Sequence, residues 1–181
     1  MISYAISDPT TLRFDRRLES DLFRFASKAD WLLYRDKENL LYRENARKIV
    51  RLLSSFPRLK LFLHDDWRLA AELGVYGVHF SGQGAGEISA AVGEGLYIAA
   101  SAHSIEEAER FSELGADAVT LSPIFETPGK GAPLGTEYLC RAVERLGIPV
   151  IALGGIVSPD AVAEVERCGV FGYASIRLFG G

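Results

Sequence analysis

The chain has 181 residues, of which 48% are hydrophobic and 24% are charged, and its formal net charge is −4. These values are ordinary for a globular protein and predict a single domain over residues 1–181. The scattered Lys and Arg residues exclude a basic nucleic-acid-binding stripe, and no apolar run reaches the ~20 residues of a membrane-spanning helix.

The N-terminus lacks a basic region followed by a long apolar run, so it does not have the pattern of a secretory signal. Cys140 and Cys168 fall in predicted helical segments with no CxxC pair or Cys/His cluster nearby. We therefore predict two buried thiols rather than a disulfide or a metal site. These features together predict a cytoplasmic protein.

Short and almost continuously apolar runs recur from end to end of the chain. Such runs are typical of parallel strands that are covered on both faces of a sheet. The predicted strands are Ile2–Ile6, Trp31–Tyr34, Leu59–Leu63, Gly77–Phe80, Tyr97–Ala100, Ala118–Leu121, Pro149–Leu153 and Gly172–Ile176.

Segments with helix signals lie between these strands. Ser104 and Glu107 have the spacing of a capping box, and Ser158 precedes a proline suited to the first helical position. A short helix is predicted to start at Asp65 or Asp66. Further helices are predicted over Glu44–Leu53, Thr136–Leu146 and Gly82–Val92.

Eight repeated strand–helix units predict an α/β fold, a (β/α)8 barrel. The chain is shorter than the ~200 residues usual for this barrel. It ends soon after Ser175, so the last helix should be missing or vestigial. Leu178 and Phe179 would then cover apolar surface that this helix normally buries, and a homodimer is one way to do so. The alternative is an open doubly wound sheet of about five or six strands.

In a (β/α)8 barrel the active site lies at the C-terminal ends of the strands, so the residues that follow each strand are the candidates. Every histidine of the chain falls in this set. His103 is the candidate general acid or base, because imidazole is the side chain best suited to proton transfer near neutral pH. The set comprises Arg35, Lys37, His64, Asp65, His79, Ser101, His103, Thr127, Lys130, Gly154, Gly155 and Ser175.

Two of these groups predict anion binding. Thr127 and Lys130 lie in a Pro- and Gly-rich loop after the sixth strand, which can close over a small anion. Gly154 and Gly155 follow the seventh strand and, with Ser175, predict a phosphate cradle of backbone N–H groups.

Structural roles remain open for several of these residues. His79 lies within a strand and can be a core histidine, while His64 can cap the following helix. Asp65 and Asp66 are also typical of a helix N-terminus. Arg35 and Lys37 can belong to a solvated turn, although two cations directly after a buried strand favour an anion site.

The motifs in chain order resemble the thiamin phosphate synthase/TenI family. The matching segments are Tyr-Ala-Ile-Ser-Asp8, Leu-Tyr-Arg-Asp-Lys37, Leu-His-Asp65, Gly-Val-His79, Ser-Ala-His-Ser104, Leu-Gly-Ala-Asp117, Pro-Ile-Phe-Glu-Thr127 and Ala-Leu-Gly-Gly-Ile156. The resemblance implies a (β/α)8 barrel that binds a thiazole phosphate. In the synthase this thiazole is coupled to a pyrimidine pyrophosphate with Mg²⁺, whereas the TenI branch tautomerises a thiazole carboxylate phosphate.

The resemblance also implies roles for individual residues. Arg35 and Lys37 match the pyrophosphate-binding pair, and Asp65 matches the first metal aspartate. Ser101 and Lys130 match positions that contact substrate or diphosphate. His103 matches the proton-transfer histidine of the tautomerase, and the thiazole-phosphate cradle is matched by Gly154, Gly155 and Ser175.

Several departures from the synthase pattern fall on its metal and diphosphate half. Leu33 stands where a glutamine is usual, His64 replaces an asparagine, and no carboxylate follows Phe80 before Glu87. Fewer carboxylates weaken Mg²⁺ binding. The sequence therefore favours a TenI-like tautomerase. A Mg²⁺-dependent thiamin phosphate synthase and a non-catalytic phosphate-ligand binder remain alternatives.

Overall fold

Eight parallel strands close into a barrel in this computed structural model, which describes residues 1–180. Each strand pairs in parallel with the next, and β1 pairs with β8 through Ile2 opposite Gly172. The predicted (β/α)8 barrel is confirmed, and the open sheet is excluded. The strands are β1 (Ile2–Ile6), β2 (Trp31–Tyr34), β3 (Lys60–His64), β4 (Gly77–Phe80), β5 (Tyr97–Ala102), β6 (Ala118–Leu121), β7 (Val150–Leu153) and β8 (Gly172–Ser175).

A helix follows every strand. The helices are α1 (Leu18–Ala26), α2 (Tyr42–Leu53), α3 (Trp67–Leu73), α4 (Ile88–Ala91) preceded by a 3₁₀ turn (Gly84–Glu87), α5 (Ile105–Glu113), α6 (Gly135–Arg145), α7 (Pro159–Glu166) and α8 (Arg177–Gly180). Helix α1 was not predicted, although Leu18, Leu22 and Phe25 are spaced for one buried face. Within residues 1–180 no helix is long and apolar enough to cross a membrane.

The predicted N-caps of α5 and α7 form, but the Glu107 carboxylate has a different partner from the one a capping box implies. Ser104 Oγ accepts from the Glu107 N–H at 3.1 Å, and Ser158 Oγ accepts from the Ala161 N–H at 3.2 Å. The Glu107 carboxylate, however, accepts from the His103 N–H at 2.7 Å rather than from the N-cap residue itself. Helix α5 therefore fixes the backbone of His103 at the end of β5.

The barrel interior is packed with side chains from alternate strand positions, so it forms a floor beneath the barrel mouth. Trp31 and Phe62 meet with ring centroids 4.7 Å apart, and Tyr4 packs on Trp31 at 5.4 Å. A second and larger core lies between the strands and the surrounding helices. Aromatic side chains therefore close the lower part of the barrel.

Helix α8 comprises four residues within the part of the chain that the structure describes. Phe179 is only 2% exposed and stacks on Tyr173 at 6.1 Å. Its backbone oxygen also accepts from the Arg24 guanidinium. Phe179 is therefore covered within the chain and offers little apolar surface to a second copy, and the homodimer stays a prediction.

The predicted free thiols are wrong, because Cys140 and Cys168 form a disulfide with a Cα–Cα distance of 4.5 Å. Cys140 lies in α6, and Cys168 lies two residues after the end of α7. Helices α6 and α7, which precede and follow β7 in the chain, pack against each other. This packing brings together two cysteines that are 28 residues apart in the sequence, which spacing alone did not reveal.

Reduction of this disulfide is expected to lower the melting temperature by roughly 10 °C. A crosslink over 28 residues contributes roughly 3–4 kcal/mol by restricting the unfolded chain. Thermal unfolding with and without dithiothreitol measures this change, and the Cys140→Ser variant is the control that should not respond to reductant. Equal melting temperatures for the oxidised and reduced protein would contradict a stabilising crosslink.

Candidate active site at the barrel mouth

A cavity of about 450 Å³ opens where the C-terminal ends of the strands meet. Its wall contains most of the residues that the strand-end argument selected. They are Arg35, Lys37, His64, His79, Ser101, His103, Thr127, Lys130 and Gly154. The wall also contains apolar side chains from four strands or their ends, Ile6, Leu33, Leu153 and Ile176. The cavity thus combines an apolar lining with a few cationic and polar groups, as small-molecule sites do.

Three predicted site residues lie outside this wall. Asp65 borders an adjoining groove of about 620 Å³, which shares Lys37 and His64 with the cavity. Gly155 borders a groove on the side of the β6 loop, together with Thr127 and Lys130. Ser175 is buried below the surface.

The cations of the cavity are free of ion pairs within residues 1–180. Arg35 and Lys37 follow β2, and the Arg35 N–H donates to Ser7 Oγ at 3.1 Å. Lys130 reaches the same cavity from the β6 loop. The salt bridges of the described chain involve other residues. Cations that face a cavity without a counter-ion favour an anionic ligand.

His64 is held neutral at the end of β3. Its pKa is lowered to about 4, chiefly by burial and also by the nearby Lys37 and Arg35, against the opposing effect of Asp65. His64 Nδ1 lies 3.2 Å from Asp65 Oδ2. The side chain therefore adds hydrogen-bonding capacity to the cavity near neutral pH without adding charge.

Asp65 has a left-handed backbone with φ of 58°, the single positive φ of a non-glycine residue in the described chain. Its carboxylate accepts from the Ser81 N–H at 2.6 Å and from the Ser81 hydroxyl at 2.8 Å. Strained backbone held by such bonds is concentrated at functional sites. Asp66 is the residue that caps α3, accepting from the Leu69 N–H at 2.9 Å.

The residues present can attach Mg²⁺ through one carboxylate. Residues 1–180 contain no cluster of three or more His, Cys, Asp or Glu side chains arranged for a metal. Glu87 binds Trp67 and Arg68 instead, and Asp66 pairs with Arg43 at 2.9 Å. Of the roughly four lone-pair sites of the Asp65 carboxylate, Ser81 uses two and the contact with His64 Nδ1 uses at most one. Mg²⁺ is commonly bound by one or two carboxylates with substrate phosphates. Asp65 therefore fits the ion as a single protein ligand.

His103 offers a proton acceptor to the cavity. Its Nδ1 lies 2.8 Å from the backbone oxygen of Ser122, which can only accept, so Nδ1 carries the proton in the neutral ring. Nε2 is then the unprotonated nitrogen. The arrangement is compatible with a general base, and the predicted acid or base role of His103 stays a prediction.

Gly154 and Gly155 are required by packing as well as by backbone conformation. Their φ angles are 97° and 71°. A Cβ at Gly154 would lie 2.7 Å from Pro123 Cα, and one at Gly155 would lie 2.5 Å from Phe125 Cβ. The loop after β6 is therefore seated directly on these glycines. Their own N–H groups donate to no other group of residues 1–180, which leaves them available to a phosphate.

Ser175 serves the fold through its side chain. Its hydroxyl donates to the Ile156 oxygen at 2.7 Å and accepts from the Leu178 N–H at 3.2 Å. Both bonds are internal, so the hydroxyl joins the β7 loop to α8. Its predicted contact with phosphate remains a prediction.

Two hydroxyl-bearing residues at the site were assigned no role from the sequence. Ser81 holds Asp65, and Tyr4 contacts His79 from inside the barrel with Oη 3.0 Å from Nδ1. Ser81 directly follows β4 and so is one of the residues at the strand ends, but its bond to Asp65 has no signal in the sequence. Tyr4 lies inside β1 and gives only the pattern of a core residue.

The fold and the cavity define a (β/α)8 barrel whose mouth is built for a small anionic ligand. The family model described as thiamine monophosphate synthase (TMP-TENI) matches residues 3–179. The chain therefore belongs to this family, which is a family of enzymes of thiamin biosynthesis.

Named relatives agree with this assignment. The chain is 34% identical over 175 residues to a thiamine-phosphate synthase of Herpetosiphon aurantiacus, covering 93% of this chain and 84% of the relative. It is 36% identical over 145 residues to the thiamine-phosphate synthase of Neisseria gonorrhoeae, covering 77% and 69%. A thiamine phosphate pyrophosphorylase structure from Pyrococcus furiosus superposes with a TM-score of 0.82 at 26% identity, covering 99% of this chain and 88% of that one.

Proposed function

We propose that the protein is a thiamin phosphate synthase, which couples a thiazole phosphate to hydroxymethylpyrimidine pyrophosphate and releases diphosphate. One observation carries the proposal: a single cavity has groups suited to binding an anion at two separate places. Arg35 and Lys37 lie at the end of β2, whereas Gly154 lies at the end of β7, with β8 and β1 between them in the barrel. Two phosphorylated substrates need two such places.

The residues of the chain suggest how the coupling proceeds. The thiazole ring nitrogen forms a bond to the methylene carbon of the pyrimidine, and the bond from that carbon to the diphosphate oxygen breaks. The electron pair leaves with the diphosphate. Arg35, Lys37 and Lys130 would stabilise its growing negative charge, as preorganised cations do in transition states. Asp65 would hold Mg²⁺, which would supply further charge neutralisation.

The relatives support this proposal over the TenI-like reading that the sequence departures favoured. The curated relatives quoted above are named synthases, and the matching Pyrococcus structure is a pyrophosphorylase. The cationic pair, Lys130 and Asp65 all lie in or beside one cavity. Despite the departures at Leu33 and before Glu87, most residues that match the metal and diphosphate positions of the synthase therefore lie close together, which supports the proposal.

A thiazole tautomerase is the second candidate, and His103 favours it. The unprotonated Nε2 of this residue can take a proton from a ring carbon and return it elsewhere on the ring. Such a reaction uses one phosphorylated ligand and requires no metal.

The experiment that tests the proposal is an assay with both substrates, with and without Mg²⁺, that follows thiamin phosphate and diphosphate. We expect Mg²⁺-dependent formation of both products in equal amounts. Absence of product together with metal-independent tautomerisation that His103→Ala abolishes would replace the proposal by the tautomerase. Binding of the thiazole phosphate without any conversion would replace it by a non-catalytic binder.

A further inference from the structure

A chain of hydrogen bonds runs from the barrel interior to the cavity wall. Tyr4 Oη lies 3.0 Å from His79 Nδ1, and His79 Nε2 lies 2.8 Å from Ser101 Oγ. Thr120 Oγ1 donates to the same Ser101 oxygen at 3.4 Å. Tyr4, His79 and Thr120 are at most 1% exposed, whereas Ser101 is partly exposed and borders the cavity. Ser101 is therefore the member of the chain that reaches a ligand.

The direction of each hydrogen bond follows from the buried end. His79 Nδ1 is the one hydrogen-bond partner of the Tyr4 hydroxyl within residues 1–180. A buried hydroxyl whose proton has no acceptor is costly, so Tyr4 donates and His79 Nδ1 accepts. A ring nitrogen that accepts a hydrogen bond carries no proton, so the ring proton of His79 is on Nε2, which donates to Ser101 Oγ.

Ser101 Oγ thus accepts from His79 and, over the longer distance, from Thr120. A hydroxyl has two acceptor lone pairs and one proton. With its lone pairs directed at His79 and Thr120, its proton is directed away from both, towards the cavity. Phosphate and diphosphate oxygens are strong acceptors of such a proton.

We propose that Tyr4 and His79 are positioning residues. Tyr4 holds His79 in its Nε2–H tautomer, and His79 in turn makes Ser101 an obligate hydrogen-bond donor to an anionic oxygen of the ligand. His103 is held in the opposite tautomer, because its Nδ1 faces a carbonyl oxygen. The two histidines therefore give the cavity a fixed donor at Ser101 and a fixed acceptor at His103. The statement about the ligand rests on the proposed function, whereas the statement about the tautomer does not.

The tautomer is tested first, without any ligand. Long-range ¹H–¹⁵N correlation spectra of the ¹⁵N-labelled protein distinguish Nε2–H from Nδ1–H rings, and the loss of one signal set in His79→Gln identifies His79. We expect Nε2–H for His79 and Nδ1–H for His103 in the same spectrum at alkaline pH. An Nδ1–H or doubly protonated His79 would overturn the proposal whatever the protein catalyses.

The effect on the ligand is tested with inorganic diphosphate as the probe, by calorimetry. Ser101→Ala should weaken binding by about tenfold, as expected for a lost hydrogen bond to a charged group. Tyr4→Phe should weaken it less, and should have no further effect in the Ser101→Ala background. This lack of additivity separates an action through Ser101 from general loosening of the barrel.

A pair of substitutions at His79 provides the matched control. The amide of His79→Gln can accept from Tyr4 and donate to Ser101, so it should retain most of the affinity that His79→Leu loses. Thermal unfolding of each variant checks that the barrel is folded. Equal affinities of the folded Gln and Leu variants, or additive effects of Tyr4→Phe and Ser101→Ala, would overturn the role of the chain. Failure of the wild type to bind diphosphate would count against the proposed function and against the donor role of Ser101. The NMR spectra would still establish or overturn the Nε2–H tautomer of His79.

Discussion

Arg35→Ala is expected to lower kcat/KM for thiamin phosphate formation by roughly 10²–10³-fold. Arg35 borders the cavity, and no ion pair within residues 1–180 neutralises its charge. Its guanidinium can form two parallel hydrogen bonds to a phosphate group, each of them strong because both partners are charged. Loss of such a pair on the leaving diphosphate accounts for roughly 3–4 kcal/mol of transition-state stabilisation.

Steady-state kinetics over a range of pyrimidine pyrophosphate concentrations measures this effect and divides it between KM and kcat. A fall in kcat at saturation would show that Arg35 binds the transition state more tightly than the substrate. Arg35→Lys keeps the charge and loses the fork-shaped geometry, so it should fall between the wild type and Arg35→Ala.

Arg51→Ala is the matched control for these variants. Arg51 is exposed in the last turn of α2 and does not border the cavity, so its loss removes one positive charge from the protein surface. We expect unchanged kcat/KM. A similar fall for Arg51→Ala and Arg35→Ala would assign the effect to overall charge, and wild-type kinetics for Arg35→Ala would place the diphosphate elsewhere.

The barrel could be predicted from the sequence because its strands are buried on both faces. Runs such as Trp31–Tyr34 carry no polar residue at all, which leaves few alternatives to a parallel sheet. The N-caps of α5 and α7 could also be predicted, since a serine directly before a helical segment is a local signal of a helix N-terminus. Predicted strand ends at Leu59 and Ile176 were off by a residue, because boundaries depend on pairing with neighbours that the local sequence does not contain.

The position of the site was also predictable, but the partners of its residues were not. Arg35, Ser101 and His103 follow or end strands, and the fold alone brings strand ends together. Which groups they then contact depends on side chains far away in the sequence. Tyr4 meets His79 across 75 residues, and the disulfide joins Cys140 to Cys168 across 28. Neither pairing leaves a local signal.

The glycines show a role that the sequence explained only in part. Gly154 and Gly155 were predicted to admit a phosphate to the backbone. The structure shows a further reason for them, since the loop after β6 packs where their side chains would be. This loop carries Lys130 and Thr127 into the cavity wall, so the same glycines position a cation of the site.

Gly155→Ala is expected to destabilise the protein by roughly 2–5 kcal/mol and to lower its melting temperature by roughly 6–15 °C. The left-handed φ of 71° costs an alanine about 1–2 kcal/mol. The new Cβ would also lie 2.5 Å from Phe125 Cβ and 2.8 Å from the Glu126 backbone oxygen, so the loop must move. Overpacking of this kind costs about 1–3 kcal/mol. Thermal and urea unfolding measure the total.

Two further glycines separate the backbone effect from the steric one. Gly169 has a φ of 73° but open space around its Cβ position, so Gly169→Ala should cost only about 1–2 kcal/mol. Gly147 has neither a positive φ nor a close neighbour, so Gly147→Ala should lie within about 0.5 kcal/mol of the wild type. Equal decreases in the free energy of unfolding for Gly155→Ala and Gly169→Ala would mean that the loop after β6 moves aside without an energetic penalty. A clear excess for Gly155→Ala, with a weakened response to diphosphate, would show that this glycine holds Lys130 in place through the loop.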